Sequence, residues 1–203
     1  MSMKLGIIGF GGMGKFHSKQ APKAGVTVIG AADIKEERVQ EAIEAGIKGY
    51  HSADELLADP EINTVILTVP NHLHKEMAIK AAKAGKNVIT EKPAALNVAE
   101  LDEMTKACEE AGVCFTTHQN RRWDRDMLTV KKAYETGMLG KVFTIESRLH
   151  SGNGYMHEWH LYKKYGGGMM YDWGVHLIDQ ILFMMPDAKV KTVFADLKNV
   201  LHE

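Results

Sequence analysis

From the N-terminus to about residue 120, short apolar runs of strand length alternate with stretches whose apolar residues recur every three or four positions. "MKLGIIGF" reads as a first strand, and a helix is expected from about Met13 to Lys23. "VTVIGAAD" is the second strand, followed by the helix "KEERVQEAIEAG", which carries Val39, Ala42 and Ile43 on one face and stops at Gly46. A weak third strand begins at Tyr50. "SADELLAD" has Ser52 as N-cap and Glu55 three residues on, the capping-box spacing. Strand "NTVILTV", helix "HLHKEMAIKAAKAG", strand "KNVIT", helix "NVAELDEMTKACEEAG" and strand "VCFTTH" complete the run. Regular alternation of this kind predicts βαβ units, and six strands make a doubly wound parallel α/β sheet.

The pattern changes after "QNRRWDRD", which places a domain boundary at residues 122/123. Residues 1–122 form the wound domain and 123–203 begin a second α/β domain. Within the latter, "RDMLTVKKAYETG" is a helix ending at Gly137, and "GKVFTIESRLH" is expected to be a strand by its alternation. A glycine- and aromatic-rich loop leads into "YGGGMMYDWGVHLID", which turns helical, and "VKTVFADLKNV" is expected to be a further strand. The two strands are read as part of an open second sheet.

Composition narrows the function classes. With 45% apolar and 25% charged residues among 203, the chain has enough apolar material for a sizeable core. A net charge of −1 provides no electrostatic footprint for nucleic acid or an anionic membrane. The longest apolar stretches are strand-length, so no membrane partner is expected, and "MSMKLGIIGFGG" reads as a strand rather than a leader, which makes the cytoplasm the expected location. Cys108 and Cys114 match no metal or redox spacing and are read as reduced, buried thiols.

Candidate chemistry begins at Gly9-Phe10-Gly11-Gly12-Met13-Gly14, a G-x-G-x-x-G motif directly after the first strand and opening a helix. It is either a glycine-rich turn or a pyrophosphate cradle at a helix N-terminus. Asp33, closing the second strand, favours the cradle, since an acid there binds a ribose 2′-hydroxyl and repels a 2′-phosphate. NAD is therefore expected over NADP, although Lys35 lies two residues on. "VPNHLHKE" and "TEKPAA" follow strands four and five, at the carboxyl ends where open α/β sheets bind ligands. Pro70, Asn71, His74, Glu91 and Lys92 are thus candidate cofactor contacts, as is Asn120 past the sixth strand. His72 and His74, two apart, face different sides of their helix and read rather as helix-start residues with capping and surface roles. The Lys92 ammonium can hydrogen-bond an oxygen that gains negative charge, or it is a solvated loop lysine.

Together, the glycine fingerprint, Asp33, "EKP" at Glu91 to Pro93 and "GGGMMYDWGVHLID" resemble the Gfo/Idh/MocA oxidoreductases over nearly the whole chain. The resemblance implies a Rossmann domain for NAD(P), a second domain on an open sheet with the sugar or cyclitol pocket, and catalytic roles for Lys92, Asp172 and His176. It also implies a small-molecule polyol or sugar substrate and a homo-oligomer built through the second sheet. Asp172 and His176, four apart, share a helix face that Asp179 extends, and Gly166 to Gly168 allow the chain to pass close to a ligand. Secondary-alcohol oxidation needs a proton acceptor, and a histidine's ordinary pKa of about 6.5 suits one. An NAD-binding regulator, or an NAD-assisted lyase or hydrolase without net redox turnover, is the alternative reading. His157 and His160 in "HEWH" are not read as metal ligands, and no metal is expected. Trp159, Tyr155 and Tyr162 either stack on a sugar or anchor their loop, and Arg121 and Arg122 stand at the domain junction. Two strands are too few for a free-standing second domain, so the chain is expected to be an incomplete family member, cut short rather than completed by edge pairing with another copy.

Overall fold

The computed structural model describes residues 2–150, 156 and 158–198. Its framework is a six-stranded parallel sheet of order β3-β2-β1-β4-β5-β6. The strands are β1 (Lys4–Ile8), β2 (Thr27–Ala32), β3 (Lys48–Tyr50), β4 (Thr64–Leu67), β5 (Asn87–Thr90) and β6 (Phe115–Thr117). Between them run α1 (Gly12–Gln20), α2 (Glu36–Glu44), α3 (Ala53–Ala58), α4 (His74–Lys83) and α5 (Val98–Glu110). α1 is shorter than its pattern predicts, because Pro22 turns the next residues into a 3-10 segment at Ala21–Ala24. The third strand ends at Tyr50 rather than beginning there.

Alternation along the strands divides the core between two faces. Val65 and Leu67 of β4 pack with Leu56, Ala78, Ala81, Met104 and Cys108 beneath α3, α4 and α5. Ile66, between them, joins Leu5, Ile7, Phe10 and Ala42 on the opposite face. Every residue of β4 is buried, as expected for a central parallel strand covered on both sides. The Ser52 cap forms as its spacing predicts: its Oγ accepts from the Glu55 N–H at 3.2 Å, and the Glu55 carboxylate reaches back to the His51 N–H at 3.0 Å.

Beyond the sheet, a 3-10 turn (Asn120–Trp123) leads to α6 (Arg125–Glu135), and α7 (Val175–Met184) follows a π-helical turn at Met170–Gly174. The strands expected at "GKVFTIESRLH" and "VKTVFADLKNV" do not form: residues 140–150 and 190–198 carry no strand, and residues 199 and 200 lie outside the described residues. Phe143 and Phe194 are exposed, so the alternating pattern has no opposing surface to cover it. Without a neighbouring strand, neither segment has a ladder to join. Among the described residues the second sheet is therefore not formed, and no helix is long and apolar enough to cross a membrane.

Candidate active site

Strand order reverses between β1 and β4, both followed by helices on opposite faces, so the crevice opens at their carboxyl ends. A cavity of about 1100 Å³ fills it. Gly9, Gly11, Gly12 and Met13 form one wall, Asp33 and Arg38 another, and Pro70, Asn71, Glu91 and Lys92 a third. Tyr171 and Asp172 close it from the C-terminal segment.

The glycines do separate tasks. Gly9 has φ +96°, and a Cβ there would come within 2.8 Å of the Thr68 carbonyl oxygen. Gly14 does not line the cavity; a side chain on it would meet the Gly9 carbonyl oxygen at 2.2 Å, so its absence lets α1 pack on the β1 turn. Gly11 is the N-cap of α1 and has no side chain to cap its first amides, while Gly12 faces open space. The N–H groups of the first turn of this nine-residue helix, uncapped by any side chain, give the cradle the right polarity for a pyrophosphate. Asp33 is 8% exposed. Its carboxylate accepts from the Phe10 N–H at 2.8 Å, the Lys35 N–H at 3.0 Å and Arg38 Nη1 at 3.3 Å. The residues present fit a dinucleotide.

Lys92 and Asp172, eighty positions apart, meet at the cavity wall. Lys92 Nζ donates to Asp172 Oδ1 at 2.5 Å and to the Asp172 carbonyl oxygen at 2.9 Å. Asp172 and its carbonyl lie in the π-helical turn, a backbone form frequent at functional sites. His176 lies behind this pair, 4% exposed, outside the cavity wall, and its Nδ1 has no hydrogen-bond partner. Burial, reinforced by the Lys92 and Arg121 charges, pushes its pKa down to about 4. The ordinary histidine value expected from sequence therefore does not apply, and the ring is neutral at cellular pH. Asp179, three positions after His176 on α7, does not line the cavity and forms a two-pronged ion pair with Arg122 at 2.6 and 2.7 Å. Arg121 stacks over Trp173, 4.2 Å from its ring centre.

Other expected positions are used differently. His74 is fully buried, with its ring nitrogens against the Pro93 and Val69 carbonyl oxygens at 2.8 and 3.1 Å, joining the two loops below the cavity. Asn120 is exposed in the 3-10 turn, outside the cavity wall. Gly166 and Gly167 allow close approach within the chain: side chains would strike Leu96 at 2.5 Å and the His160 carbonyl oxygen. Asn71 Nδ2 donates to the Gly166 carbonyl oxygen at 2.8 Å, fastening that segment to β4. Trp159 stacks on His160, and both line the cavity, whereas Tyr162 packs against Tyr165. Tyr155 and His157 lie outside the described residues. The sequence reading missed Arg38 on the cavity wall and the buried contacts of His17 and His118 with Glu91. His17 stands three residues after Gly14, on the helix face turned to the sheet, which was a readable signal.

The sheet, its switch-point crevice and the uncapped glycine turn define an α/β protein of the dinucleotide-binding class. The profile described as "Oxidoreductase family, NAD-binding Rossmann fold" matches residues 3–119, and that of the "GFO/IDH/MocA C-terminal domain" matches residues 127–203. The chain belongs to the Gfo/Idh/MocA oxidoreductase family, and NAD is the cofactor for which this fold is built. It is 34% identical over 199 residues to myo-inositol 2-dehydrogenase of Thermotoga maritima, covering 96% of this chain and 58% of that protein. With scyllo-inositol 2-dehydrogenase (NADP(+)) of Bacillus subtilis it shares 34% identity over 207 residues, covering 98% and 56%. A solved NAD-binding protein from Listeria innocua superimposes with a TM-score of 0.88 at 41% identity, covering 91% of this chain and 55% of that one. The chain thus spans little more than half the length of these three proteins.

Proposed function

We propose that the protein is an NAD-dependent dehydrogenase acting on a secondary alcohol of a sugar, cyclitol or related polyol. The observation that carries this is the meeting of Lys92 with Asp172 at the far wall of the cavity whose near wall is the glycine cradle. The names of the two inositol dehydrogenase relatives support the polyol class.

Bound NAD⁺ supplies the hydride acceptor. The chain's own residues do the rest. Lys92, an ammonium paired with Asp172, donates a hydrogen bond to the substrate oxygen and stabilises its developing negative charge. His176, behind the Lys92–Asp172 pair and kept neutral by burial and by the neighbouring cations, accepts the hydroxyl proton relayed through that pair. Asp172 aims Lys92 and offsets its charge. NAD is preferred over NADP because Asp33 presents a carboxylate where a 2′-phosphate would lie, although Arg38 and Lys35 stand close by.

Incubation of the protein with NAD⁺ and a panel of inositols and sugars, followed by NADH absorbance, tests the reading. NADH formation with at least one polyol is expected. Reproducible absence across the panel, with NADH binding intact, would favour the regulator or non-redox alternative.

A further inference from the structure

Glu91 stands between β5 and Lys92 and is 7% exposed. Its Oε1 faces two imidazoles, His17 Nε2 at 2.7 Å and His118 Nδ1 at 3.1 Å, while Oε2 accepts from the Lys92 backbone N–H at 3.3 Å. The two rings meet edge-on, 4.7 Å apart. For both to donate to one oxygen, His17 must carry its proton on Nε2 and His118 on Nδ1. Burial alone would raise the Glu91 pKa, but the hydrogen bonds from His118 and His17 more than offset this and hold it at about 2. Glu91 is therefore a permanent buried carboxylate, which is stable only while its donors remain.

The triad joins three parts of the fold. His17 belongs to α1, whose N-terminus is the glycine cradle; Glu91 ends β5; His118 follows β6. Since β4 lies between β1 and β5, the His17 bond ties the cradle helix to the Lys92 loop across an intervening strand. We propose that His17 and His118 are positioning residues that, as donors to Glu91, hold the backbone from which Lys92 reaches Asp172 and the substrate oxygen. This rests on the reading of Lys92 given above.

The same three ligating atoms lie within 4.8 Å of one another, a set that also suits a divalent cation such as zinc. The contacts of 2.7 and 3.1 Å favour hydrogen bonds, because two ligands about 2.1 Å from a tetrahedral zinc ion stand roughly 3.4 Å apart.

Amide substitutions separate the two. His17→Gln and His118→Asn each keep an N–H donor near the original ring nitrogen but give up zinc ligation; His17→Leu and His118→Leu remove the donor. Glu91→Gln, nearly isosteric, removes the charge and covers the case in which a leucine variant fails to fold. The intact chain is labelled with trace acetic anhydride, and acetylation of Lys92 is measured by mass spectrometry against Lys80, which lines the same cavity. NADH affinity is followed by fluorescence, and kcat and KM are taken on whichever polyol is turned over. The leucine variants and Glu91→Gln are expected to change the Lys92-to-Lys80 labelling ratio about threefold or more. They should lower kcat by roughly 10²-fold while KM and NADH affinity stay within about twofold. The amide variants should resemble the wild type.

A lower melting temperature with unchanged Lys92 labelling would overturn the proposal, leaving the triad as a structural brace. Stoichiometric zinc in the purified wild type, lost in the amide variants together with the Lys92 labelling ratio, would overturn it in favour of a metal site. The labelling ratio needs no substrate, so failure of the dehydrogenase reading and failure of this one are separable.

Discussion

Residues 2–123 and residues 124–198 are built to different densities. In the first region two apolar layers grip the sheet, and Ile7, Ala42, Leu56, Val65, Leu67, Ala78, Ala81, Ala82 and Met104 are wholly buried. Past Trp123, the buried apolar side chains among the described residues are Met127 and Met184, while Phe143, Val193 and Phe194 are exposed. Yet the cavity needs both regions, because Lys92 comes from the dense one and Asp172 from the sparse one. The difference shows that a cavity wall can be fastened by a few polar contacts rather than by a core. Lys92 to Asp172, Asn71 to Gly166, Tyr171 to Leu96, and Arg122 to Asp179 do the fastening.

The sharpest way to break this comparison is to cut the contact between the regions. Lys92→Ala should lower kcat by roughly 10²–10³-fold, the loss typical for one donor to a developing oxyanion. Melting should change little, since no core is lost; steady-state kinetics with calorimetry checks both. Within the dense region, Leu56→Ala should destabilise by about 2–5 kcal/mol, read from denaturant midpoints. At the cofactor end, Asp33→Ala should weaken NADH binding by roughly tenfold or more, since it removes charged acceptors from the Phe10 and Lys35 amides, and should narrow the preference over NADPH in fluorescence titrations.

The sparse region also predicts a pH response. A histidine whose pKa lies below its ordinary value stays neutral until the pH falls to that lower value. The acid limb of kcat/KM for alcohol oxidation should therefore lie near 4, not 6.5, and should be absent in His176→Gln. A limb at 6.5 would place the ring in water. The smallest effect belongs to Phe194→Ala, which should change stability by less than about 0.5 kcal/mol, because the ring is 90% exposed.

How much of this was legible in the sequence follows the same division. The six strands, the doubly wound order and the Ser52 cap could be read because local pattern and final burial agree there. The glycine turn was legible for the same reason, since each glycine answers a local steric demand. "GKVFTIESRLH" and "VKTVFADLKNV" have strand patterns, but a strand needs a neighbour, and alternation alone does not provide one. The spacing of Asp172 and His176 correctly placed them on consecutive turns. It could not show the π-helical turn that carries Asp172, nor the burial that lowers the His176 pKa. His17, Glu91 and His118 lie far apart in sequence, and only the sheet order brings them together.

The central claim is that this cavity moves hydride from a polyol carbinol carbon to NAD⁺ with Lys92 at the oxygen. Inositols and sugars deuterated at the carbinol carbons, incubated with the protein and NAD⁺, test it directly when the reduced cofactor is examined by mass spectrometry and NMR. The account predicts deuterium at nicotinamide C4 in the wild type, with formation slowed by roughly 10²-fold or more in Lys92→Ala. Undeuterated NADH, or equal deuterium transfer in the two proteins, would contradict it.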